Sequence, residues 1–400
     1  MPSPPSTRRA LLTLEFMPSH GGIERVLHER ARGFRPETVT VFTPWVAGST
    51  DFDRNSPYKI KRAKFFCSAL PYVRRVFQAL MPAIDFLRNH RKNPFDVIEC
   101  GQAFPFSFLA WLLWRRDKIP YVVWVHGNDL LAPRKFPLLG RALADVLKNA
   151  SVVICNSSFV ADLVRKAGVD SSRIRILGHF VDAERFKPKA PSPTVIRKYN
   201  LEGKKVILSV CRLIERKGID RVIEVLPSLI TTHPDLVYLI VGRGPMENIL
   251  RTTVSSRHLE RHVIFVGAVT DEELVDFYSV ARCFVMVSRY IPAKATVEGL
   301  GVVYLEANAC GIPVVAGRSG GVTDVVRHRE NGLLVDPDSR EEIAQALDLL
   351  LSNEEMAKSL GKTGHEFTLK PTNWNIFDVP VPERVEAAVR ADDYRKRAAT

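Results

Sequence analysis

The sequence has few cysteines, and none of them is arranged as a metal ligand. The six cysteines are scattered over 400 residues, with no Cys-x-x-Cys pair and no histidines at the spacing of a zinc site. This pattern argues against a structural zinc site and against a disulfide scaffold. It is typical of buried thiols in a reducing compartment.

Long apolar runs are also missing. The most apolar stretch, FPFSFLAWLLW (104–114), is too short to span a bilayer and is followed by arginines. The N-terminus, MPSPPSTRRALLTLEF, has no long apolar segment followed by a cleavage site. We therefore expect a cytoplasmic protein.

Acidic residues are scarce in the first half only. Before residue 194 the chain has 30 of its 57 Lys and Arg residues but only 16 of its 44 Asp and Glu residues, so this part has a net charge of +14. The rest of the chain has a net charge of −1. Basic residues are densest between Lys59 and Lys92, where they alternate with aromatic and aliphatic residues. This pattern suits an anionic membrane surface, with the protein peripheral on it, and equally a solvated helix face over a core. No nucleic-acid-binding motif accompanies the charge, so we expect no nucleic acid partner.

Short β-rich runs alternate with helical stretches along the chain. TVTVFTP, FDVIECG, YVVWVHG and SVVICNS fall in the first half, and KVILSVCRL and LVYLIVGRG restart the pattern in the second. With 400 residues, the alternation predicts two α/β domains, each with a parallel sheet covered by helices, and a cleft between them at the carboxyl ends of the strands. The segment FKPKAPSPTVIRKYN (186–200) is rich in proline and charge and is interpreted as a linker.

Two glutamates flank a glycine turn in VEGLGVVYLE, which ends at Glu306. Gly299 and Gly301 tolerate a tight turn, so we predict a helix that begins near Val302, with Glu306 one turn in and Glu298 in the loop before it. A glycine loop that opens a helix presents free backbone N–H groups and the positive end of the dipole. The segment therefore predicts a phosphate site with one carboxylate on each side.

Three other loops carry candidate binding residues. VCRLIERKG places Arg212 and Lys217 after a strand. There the forked guanidinium group of the arginine and the compact ammonium group of the lysine can bind a diphosphate. HGGIER places Gly21 and Gly22 at a helix start, which suits a phosphate or the close approach of a ligand. YVVWVHGND ends a strand with His126, which can face the cleft and hydrogen-bond a hydroxyl. Each pattern is weak alone, because ordinary turns and structural histidines produce the same sequences.

Together and in this order, these segments resemble the retaining glycosyltransferases of family 4. The resemblance extends from GGIER through HGND and CRLIERKG to EGLGVVYLEANACGIPVVAGRSGG, its most specific part. It implies the GT-B fold, in which two Rossmann-like α/β domains with parallel sheets face a central cleft. The implied divisions are an acceptor domain at 1–188, a nucleotide-sugar donor domain at 189–372, and a tail at 373–400 that can cross back to the first domain.

The resemblance also implies catalytic roles for four side chains. His126 faces the transferred sugar, and Glu298 contacts the sugar hydroxyls. Arg212 and Lys217 neutralise the diphosphate leaving group. Further along the implied donor site, Glu306 binds the ribose hydroxyls.

The same resemblance implies that backbone groups complete the donor site. Gly21 and Gly22 lie against the diphosphate, the backbone of Gly267, Ala268 and Val269 holds the base, and the amides of Gly301, Val302 and Val303 contact phosphate. Two positions depart from the family's usual pattern. Cys211 stands where glycine is usual, and Arg243 stands where an acidic residue is common, which adds positive charge near the nucleotide.

The implied activity is transfer of a sugar from GDP-mannose or a UDP-hexose to a lipid-linked or glycan acceptor, with retention of configuration. The segment VEGLGVVYLEA looks most like mannosyltransferases of glycolipid assembly. We expect no cofactor and no metal, because neither the Asp51/Asp53 pair nor the Asp336/Asp338 pair follows an apolar strand into a glycine loop. The alternatives are a sugar-nucleotide epimerase or a phosphorylase on the same fold, and a non-catalytic, membrane-associated subunit.

Overall fold

The computed structural model describes residues 7–19, 21–64, 71–177 and 181–369, which form two compact units. The first unit comprises the described residues up to 177, and the second those from 181 to 369. Within these ranges no helix is long and apolar enough to cross a membrane. The tail from 373 onward lies outside the described residues, so its crossing to the first unit stays a prediction.

The first unit is a seven-stranded parallel sheet with helices on both faces, in the strand order β3-β2-β1-β4-β5-β6-β7. Its strands are β1 Arg9–Leu12, β2 Val39–Pro44, β3 Lys59–Ala63, β4 Val97–Cys100, β5 Tyr121–Val125, β6 Val152–Cys155 and β7 Ile174–Ile176. Its helices are α1 Gly22–Arg32, α2 Ser49–Asn55, α3 Pro71–Lys92, α4 Phe106–Asp117, α5 Asn128–Arg134, α6 Pro137–Asn149 and α7 Ser158–Lys166.

The second unit is a six-stranded parallel sheet in the order β10-β9-β8-β11-β12-β13. Its strands are β8 Lys205–Val210, β9 Leu236–Val241, β10 Val263–Gly267, β11 Cys283–Met286, β12 Val314–Gly317 and β13 Gly332–Val335. Its helices are α8 Pro193–Tyr199, α9 Ile219–Thr232, α10 Glu247–Ser256, α11 Asp271–Ser279, α12 Val302–Ala309, α13 Val322–Val325, α14 Arg340–Ser352 and α15 Glu354–Leu369.

The central strands form because they are short apolar runs that the sheet can bury on both faces. Every residue of β5, β6 and β9 is buried, as parallel sheets between two helical layers require. The first sheet has a hydrophobic core on each side of it, and the second unit has one continuous core. The predicted α/β architecture with two parallel sheets is confirmed.

Each sheet has a point where the strand order reverses, and the connections that follow the two neighbouring strands there run in opposite directions. In the first unit this switch point lies between β1 and β4, and in the second between β8 and β11. Loops that leave the sheet in opposite directions open a crevice at such a point, where ligands bind in doubly wound folds. The predicted site segments therefore have a common location within each sheet.

A buried ion pair fixes α1 on the first sheet. The Arg30 guanidinium donates to both carboxylate oxygens of Glu99, at 3.2 and 3.0 Å, and both residues are about 1% exposed. Burial disfavours the charged form of Glu99, but the attraction of Arg30 and Arg9 outweighs it and lowers the pKa of this carboxyl. The pair orients the helix that begins at Gly22.

One expectation about local structure was wrong, and one strand was overlooked. The segment interpreted as a linker contains α8, and Val195 of this helix is buried in the second core. Proline at the first turn of a helix has a backbone that already suits it, so proline content alone did not mark a linker. The sequence analysis also did not identify β3, an edge strand whose basic residues hide its alternation.

Candidate active site

A carboxylate and two cations meet at the switch point of the second unit. Lys217 Nζ lies 2.5 Å from Glu298 Oε2, and Arg216 Nη1 lies 2.6 Å from the same oxygen. Ser288 Oγ donates a third hydrogen bond to that oxygen, at 3.2 Å. Glu298 is 7% exposed, so this charge cluster is held largely out of water.

The cations determine the ionisation of Glu298. Burial alone disfavours the carboxylate and would raise its pKa, but the attraction of Lys217 and Arg216 outweighs it and lowers the pKa to about 2. Glu298 is therefore ionised at neutral pH, and it already has protein partners before any substrate binds.

Two glycines bring the segments of this cluster together. Gly218 has φ +71°, and a Cβ there would lie 2.2 Å from the carbonyl oxygen of Val287. Gly320 has φ +59°, and a Cβ there would lie 2.3 Å from the carbonyl oxygen of Glu298. That same carbonyl accepts the N–H of Gly321 at 2.9 Å. The Gly320–Gly321 turn after β12, which ends the quoted segment EGLGVVYLEANACGIPVVAGRSGG, thus fixes the backbone of Glu298.

The glycine-led helix lies where the sequence predicts it. Gly301, in the left-handed region at φ +89°, precedes α12, which begins at Val302. The first amides of the helix, including that of Val303, belong to the turn in which N–H groups lack intrahelical partners. Glu306 lies one turn in, is 7% exposed and accepts a hydrogen bond of 3.0 Å from the Tyr278 hydroxyl. The binding roles of these groups remain predictions.

Arg212 does not join the charge cluster. Arg212 is exposed, and its side chain makes no hydrogen bond or ion pair with the residues that the structure describes. Arg216, which the sequence analysis passed over, lies beside Lys217 instead. The available signal was the turn ERKG itself, in which a second cation directly precedes the lysine. The assignment of Arg212 to the diphosphate stays a prediction.

The last residue of β10 and the loop after it contain the residues predicted to hold the base. Gly267 is buried with φ +85°, Ala268 is exposed and Val269 is half-buried. A Cβ on Gly267 would lie 3.5 Å from Nη2 of Arg243. The unusual arginine therefore does place positive charge beside this segment. Close packing of the neighbouring turn explains Gly242, since a Cβ there would lie 2.0 Å from the carbonyl oxygen of Cys211.

In the first unit, Gly21 and Gly22 open α1 just after β1. Gly21 has an extended backbone, and a Cβ there would lie 2.2 Å from Glu24 Oε2. The Glu24 side chain therefore folds back against the start of its own helix. Burial raises the pKa of this carboxyl to about 7. A Cβ at Gly21 would displace only the flexible end of the Glu24 side chain, so this contact does not by itself require glycine. Contact of Gly21 and Gly22 with a diphosphate remains a prediction.

His126 follows β5 at the same edge of the first sheet. Its Nε2 lies 2.9 Å from the carbonyl oxygen of Gly101, which only accepts, so Nε2 carries the hydrogen. In the neutral ring Nδ1 is then an acceptor for a hydroxyl. Asp129 accepts the backbone N–H of His126 at 2.9 Å and that of Ala103 at 2.8 Å, and so ties the ends of β4 and β5 together. The sequence analysis overlooked this aspartate, although it belongs to the quoted HGND.

The aspartate pairs considered for metal binding have other partners. Asp53 pairs with Arg62 at 2.8 Å, and Asp336 accepts the backbone N–H of Asp338 at 2.9 Å. Among the residues that the structure describes, no group of three or more His, Cys, Asp or Glu side chains is arranged to hold a metal ion.

Comparison with known proteins decides the family. Residues 20–185 match the family described as Glycosyltransferase Family 4, and residues 192–367 match Glycosyl transferases group 1. A GDP-mannose-dependent alpha-(1-6)-phosphatidylinositol monomannoside mannosyltransferase of Mycolicibacterium smegmatis is 31% identical over 91% of this chain and 94% of its own. The chain belongs to glycosyltransferase family 4. The resemblance carried by the motifs is confirmed, and this family-4 chain is an enzyme of the glycosyltransferase class.

Other relatives agree with this assignment. The Mycobacterium tuberculosis (strain ATCC 25618 / H37Rv) protein of the same name is 29% identical to this family-4 enzyme, over 93% of this chain and 96% of its own. The crystal structure of Anabaena HepE in complex with UDP covers 96% of this chain and 100% of its own, with a TM-score of 0.74 and 18% identity. Sucrose-phosphate synthase of Thermosynechococcus elongatus gives a TM-score of 0.71 at 22% identity, covering 98% and 100%. These likenesses confirm the GT-B fold.

Proposed function

We propose that this glycosyltransferase transfers mannose from GDP-mannose to a glycolipid acceptor with retention of configuration, without a cofactor or metal ion. One observation carries the proposal: Lys217 and Arg216 hold Glu298 at the switch point of the second sheet, beside the helix that carries Glu306. The choice of GDP-mannose and of a lipid acceptor is supported by the relatives whose names state both.

The donor site uses groups whose charge complements the breaking bond. When the bond between sugar and diphosphate breaks, negative charge develops on the leaving phosphate. Lys217, Arg212 and the amides at the start of α12 stabilise that charge, because fixed donors need no reorganisation during the reaction. Glu306 accepts from the ribose hydroxyls and Glu298 from a sugar hydroxyl, since carboxylates accept strongly from hydroxyl groups.

Retention follows, in this proposal, from attack on the face of the sugar that the phosphate leaves. The leaving phosphate takes the proton of the acceptor hydroxyl, so no enzyme nucleophile is required. Arg212 and Lys217 supply positive charge that a metal ion would otherwise provide. Excess EDTA should therefore leave turnover unchanged, and NMR of the product should show the anomeric configuration of the donor.

Cations of the first unit support docking on an anionic membrane. Arg8, Lys59 and Lys92 line a cavity of about 310 Å³ at the amino ends of β1, β2 and β3, and Lys61 lies on the same edge strand as Lys59. Among the residues that the structure describes, none of these four side chains has a carboxylate within 4.0 Å. Burial and the repulsion of Lys59 and Lys92 lower the pKa of Lys61, although the attraction of Asp85 opposes them. Glu37 also lines the cavity, so the basic residues outnumber the acidic ones there without being alone.

Some residues of the predicted membrane surface must be reassigned. The Arg62 side chain is only 4% exposed and pairs with Asp53, because β3 turns it away from Lys59 and Lys61. It is therefore not available to lipid. Phe65 and Phe66, and the side chains of residues 71–77, lie outside the described residues. The surface that we carry forward consists of Arg8, Lys59, Lys61 and Lys92, and we call it the basic edge. A cytoplasmic location on the membrane face is part of the same proposal.

A donor screen tests the proposal. The purified chain is incubated with GDP-mannose, other GDP-sugars and UDP-hexoses, each with and without a mannosylated phosphoinositide, and release of nucleotide diphosphate is measured. We expect release from GDP-mannose that depends on the lipid. Acceptor-dependent release from a UDP-hexose alone would contradict the donor assignment. Dependence on a soluble glycan alone would contradict the lipid acceptor, and release from no donor would contradict the activity.

A further inference from the structure

Glu298 accepts all of its hydrogen bonds on one oxygen. Lys217 Nζ, Arg216 Nη1 and Ser288 Oγ all donate to Oε2, and within the described part of the chain no donor reaches Oε1. A carboxylate has about four acceptor positions over its two oxygens. The protein therefore fixes one side of this group and leaves the other side for a ligand.

The two cations on Oε2 are held in different ways. Lysine is a compact charge on a flexible stem whose ammonium group changes partners easily, whereas arginine is a planar fork. The main chain of Arg216 is also fixed, since its carbonyl accepts the N–H of Arg289 at 2.8 Å. Arg289 in turn donates two hydrogen bonds, of 3.0 and 2.8 Å, to Asp220 at the start of α9. Arg216 is therefore built to stay in place when Lys217 moves.

We propose that Arg216 is a positioning residue: it holds the Oε2 side of Glu298 while Lys217 turns to the donor's diphosphate, so that Oε1 accepts a hydroxyl of the donor sugar. This inference rests on the proposed function, which puts the diphosphate beside Lys217. It assigns to each of two neighbouring cations a separate task in the same step.

The charge balance explains why two cations are needed. In the unliganded site, one buried carboxylate is shared by Lys217 and Arg216, a surplus of one positive charge. When the anionic diphosphate recruits Lys217, Glu298 would be a buried anion beside another anion if it had no second partner. Such a group takes up a proton, and a protonated carboxyl holds a sugar hydroxyl less strongly. Arg216 prevents this protonation.

Loss of Arg216 should become visible as a dependence of turnover on pH. Besides the two cations, Glu298 faces the Tyr304 hydroxyl of α12 and the Cys211 thiol after β8. Burial raises the pKa of Cys211 to about 12 and that of Tyr304 well above its usual value, so both are neutral near pH 7. In Arg216→Gln, burial then raises the pKa of Glu298 in the donor complex, because no cation compensates its charge.

The test is the pH profile of kcat at saturating donor, which reports the ionisation of groups in the substrate complex. For the wild type we expect kcat to stay constant between about pH 5.5 and pH 8. For Arg216→Gln we expect kcat to fall at least about tenfold between pH 8 and pH 5.5, as a buried carboxyl takes up a proton. Arg216→Lys keeps the charge and should restore most of the flat profile. The affinity for free GDP, measured by calorimetry, should change less than about threefold, because the inference assigns the Arg216 side chain to Glu298 and not to the nucleotide.

Lys294→Gln is the matched control, because it removes one cation from an exposed pair with Glu215, the neighbour of Arg216. It should behave as the wild type. A flat profile in Arg216→Gln, or the same acid loss in Lys294→Gln, would overturn the inference. If Arg216→Gln does not fold, Glu298→Gln replaces it, because the inference requires a charged carboxylate at this position. Unaltered kcat in Glu298→Gln would then overturn the inference. The proposed function fails separately, when the wild type has no donor-dependent turnover or when Lys217→Ala binds GDP as the wild type does.

Discussion

Lys217 and Arg212 belong to one loop but have different surroundings. Lys217 is 8% exposed and bonded to Glu298, whereas Arg212 is exposed and its side chain has no hydrogen bond or ion pair with the described residues. If both bind the diphosphate, replacing either with Ala should weaken GDP binding by about 1.5–3 kcal/mol, the usual range for charged hydrogen bonds. Calorimetry with GDP measures this effect. Wild-type affinity in both variants would contradict the assignment, and a loss in Lys217→Ala alone would remove Arg212 from the site.

The two glutamates should divide the donor between them. Glu306 lies one turn into α12 and Glu298 lies before its start, so they are assigned to the ribose and to the sugar respectively. We expect Glu306→Ala to weaken binding of both free GDP and the intact donor. Glu298→Ala should retain affinity for GDP and lose turnover. A loss of GDP affinity in Glu298→Ala as large as that in Glu306→Ala would show that this division is wrong.

At the scale of elements, the turn after β12 supports the donor site from outside it. Gly320 has φ +59°, and a Cβ there would press against the carbonyl oxygen of Glu298. Gly203 is a matched control, since its φ is +66° but nothing lies within 4 Å of a Cβ there. Both Gly→Ala variants should lose about 1–2 kcal/mol of stability from the left-handed backbone. Gly320→Ala should lose more, because its Cβ would also press against a backbone carbonyl.

Only Gly320→Ala should also lose kcat, because only that change displaces Glu298. Urea denaturation measures the loss in the free energy of unfolding for each variant, and steady-state kinetics measures the difference in kcat between them. Equal kcat in the two variants would mean that the turn does not position Glu298.

The sequence predicts elements well where one residue pattern has one structural outcome. The interior strands were recognisable because a short apolar run between turn residues suits a buried parallel strand. The start of α12 was recognisable because Gly301 needs a positive φ that most residues avoid. β3 was overlooked because an edge strand tolerates Lys59 and Lys61, and their charge suggested a surface instead.

The site was predicted less completely, because proximity across loops is not a local property. The pairing of Arg216 with Glu298 joins residues 82 positions apart, and no pattern around either residue encodes it. Asp129 was overlooked for the same reason, as its bond to Ala103 depends on where β4 and β5 end relative to each other. Arg212 was recognisable from its place in a loop after a strand and from the resemblance, but its side chain has no partner among the described residues.

At the scale of the whole molecule, the uneven charge predicts reversible binding to an anionic membrane. Each basic residue near such a surface contributes about 1 kcal/mol, so the basic edge should give measurable association. Raising the salt from about 0.1 M to 1 M should abolish it, because the Debye length falls from about 10 Å to 3 Å. Liposome sedimentation with anionic and neutral vesicles measures both effects.

The variant for this experiment replaces Lys59, Lys61 and Lys92 with Gln. The control replaces three exposed cations of the second unit, Lys204, Arg257 and Arg261, and so has the same net charge. Only the first variant should lose binding. Equal binding to neutral and anionic vesicles, or equal loss in the two variants, would contradict docking through the basic edge.

The central claim is that the second unit binds a nucleotide sugar whose hexose the enzyme transfers to a lipid. The most direct measurement is the transfer of radiolabelled mannose from GDP-mannose into organic-extractable product, by the wild type and by Glu306→Ala at matched protein concentration. We predict labelled glycolipid with the wild type and, because the ribose contact is lost, a decrease of at least about tenfold with Glu306→Ala at subsaturating donor. Equal labelling by both proteins would contradict the donor site, and absence of labelled lipid with the wild type would contradict the activity.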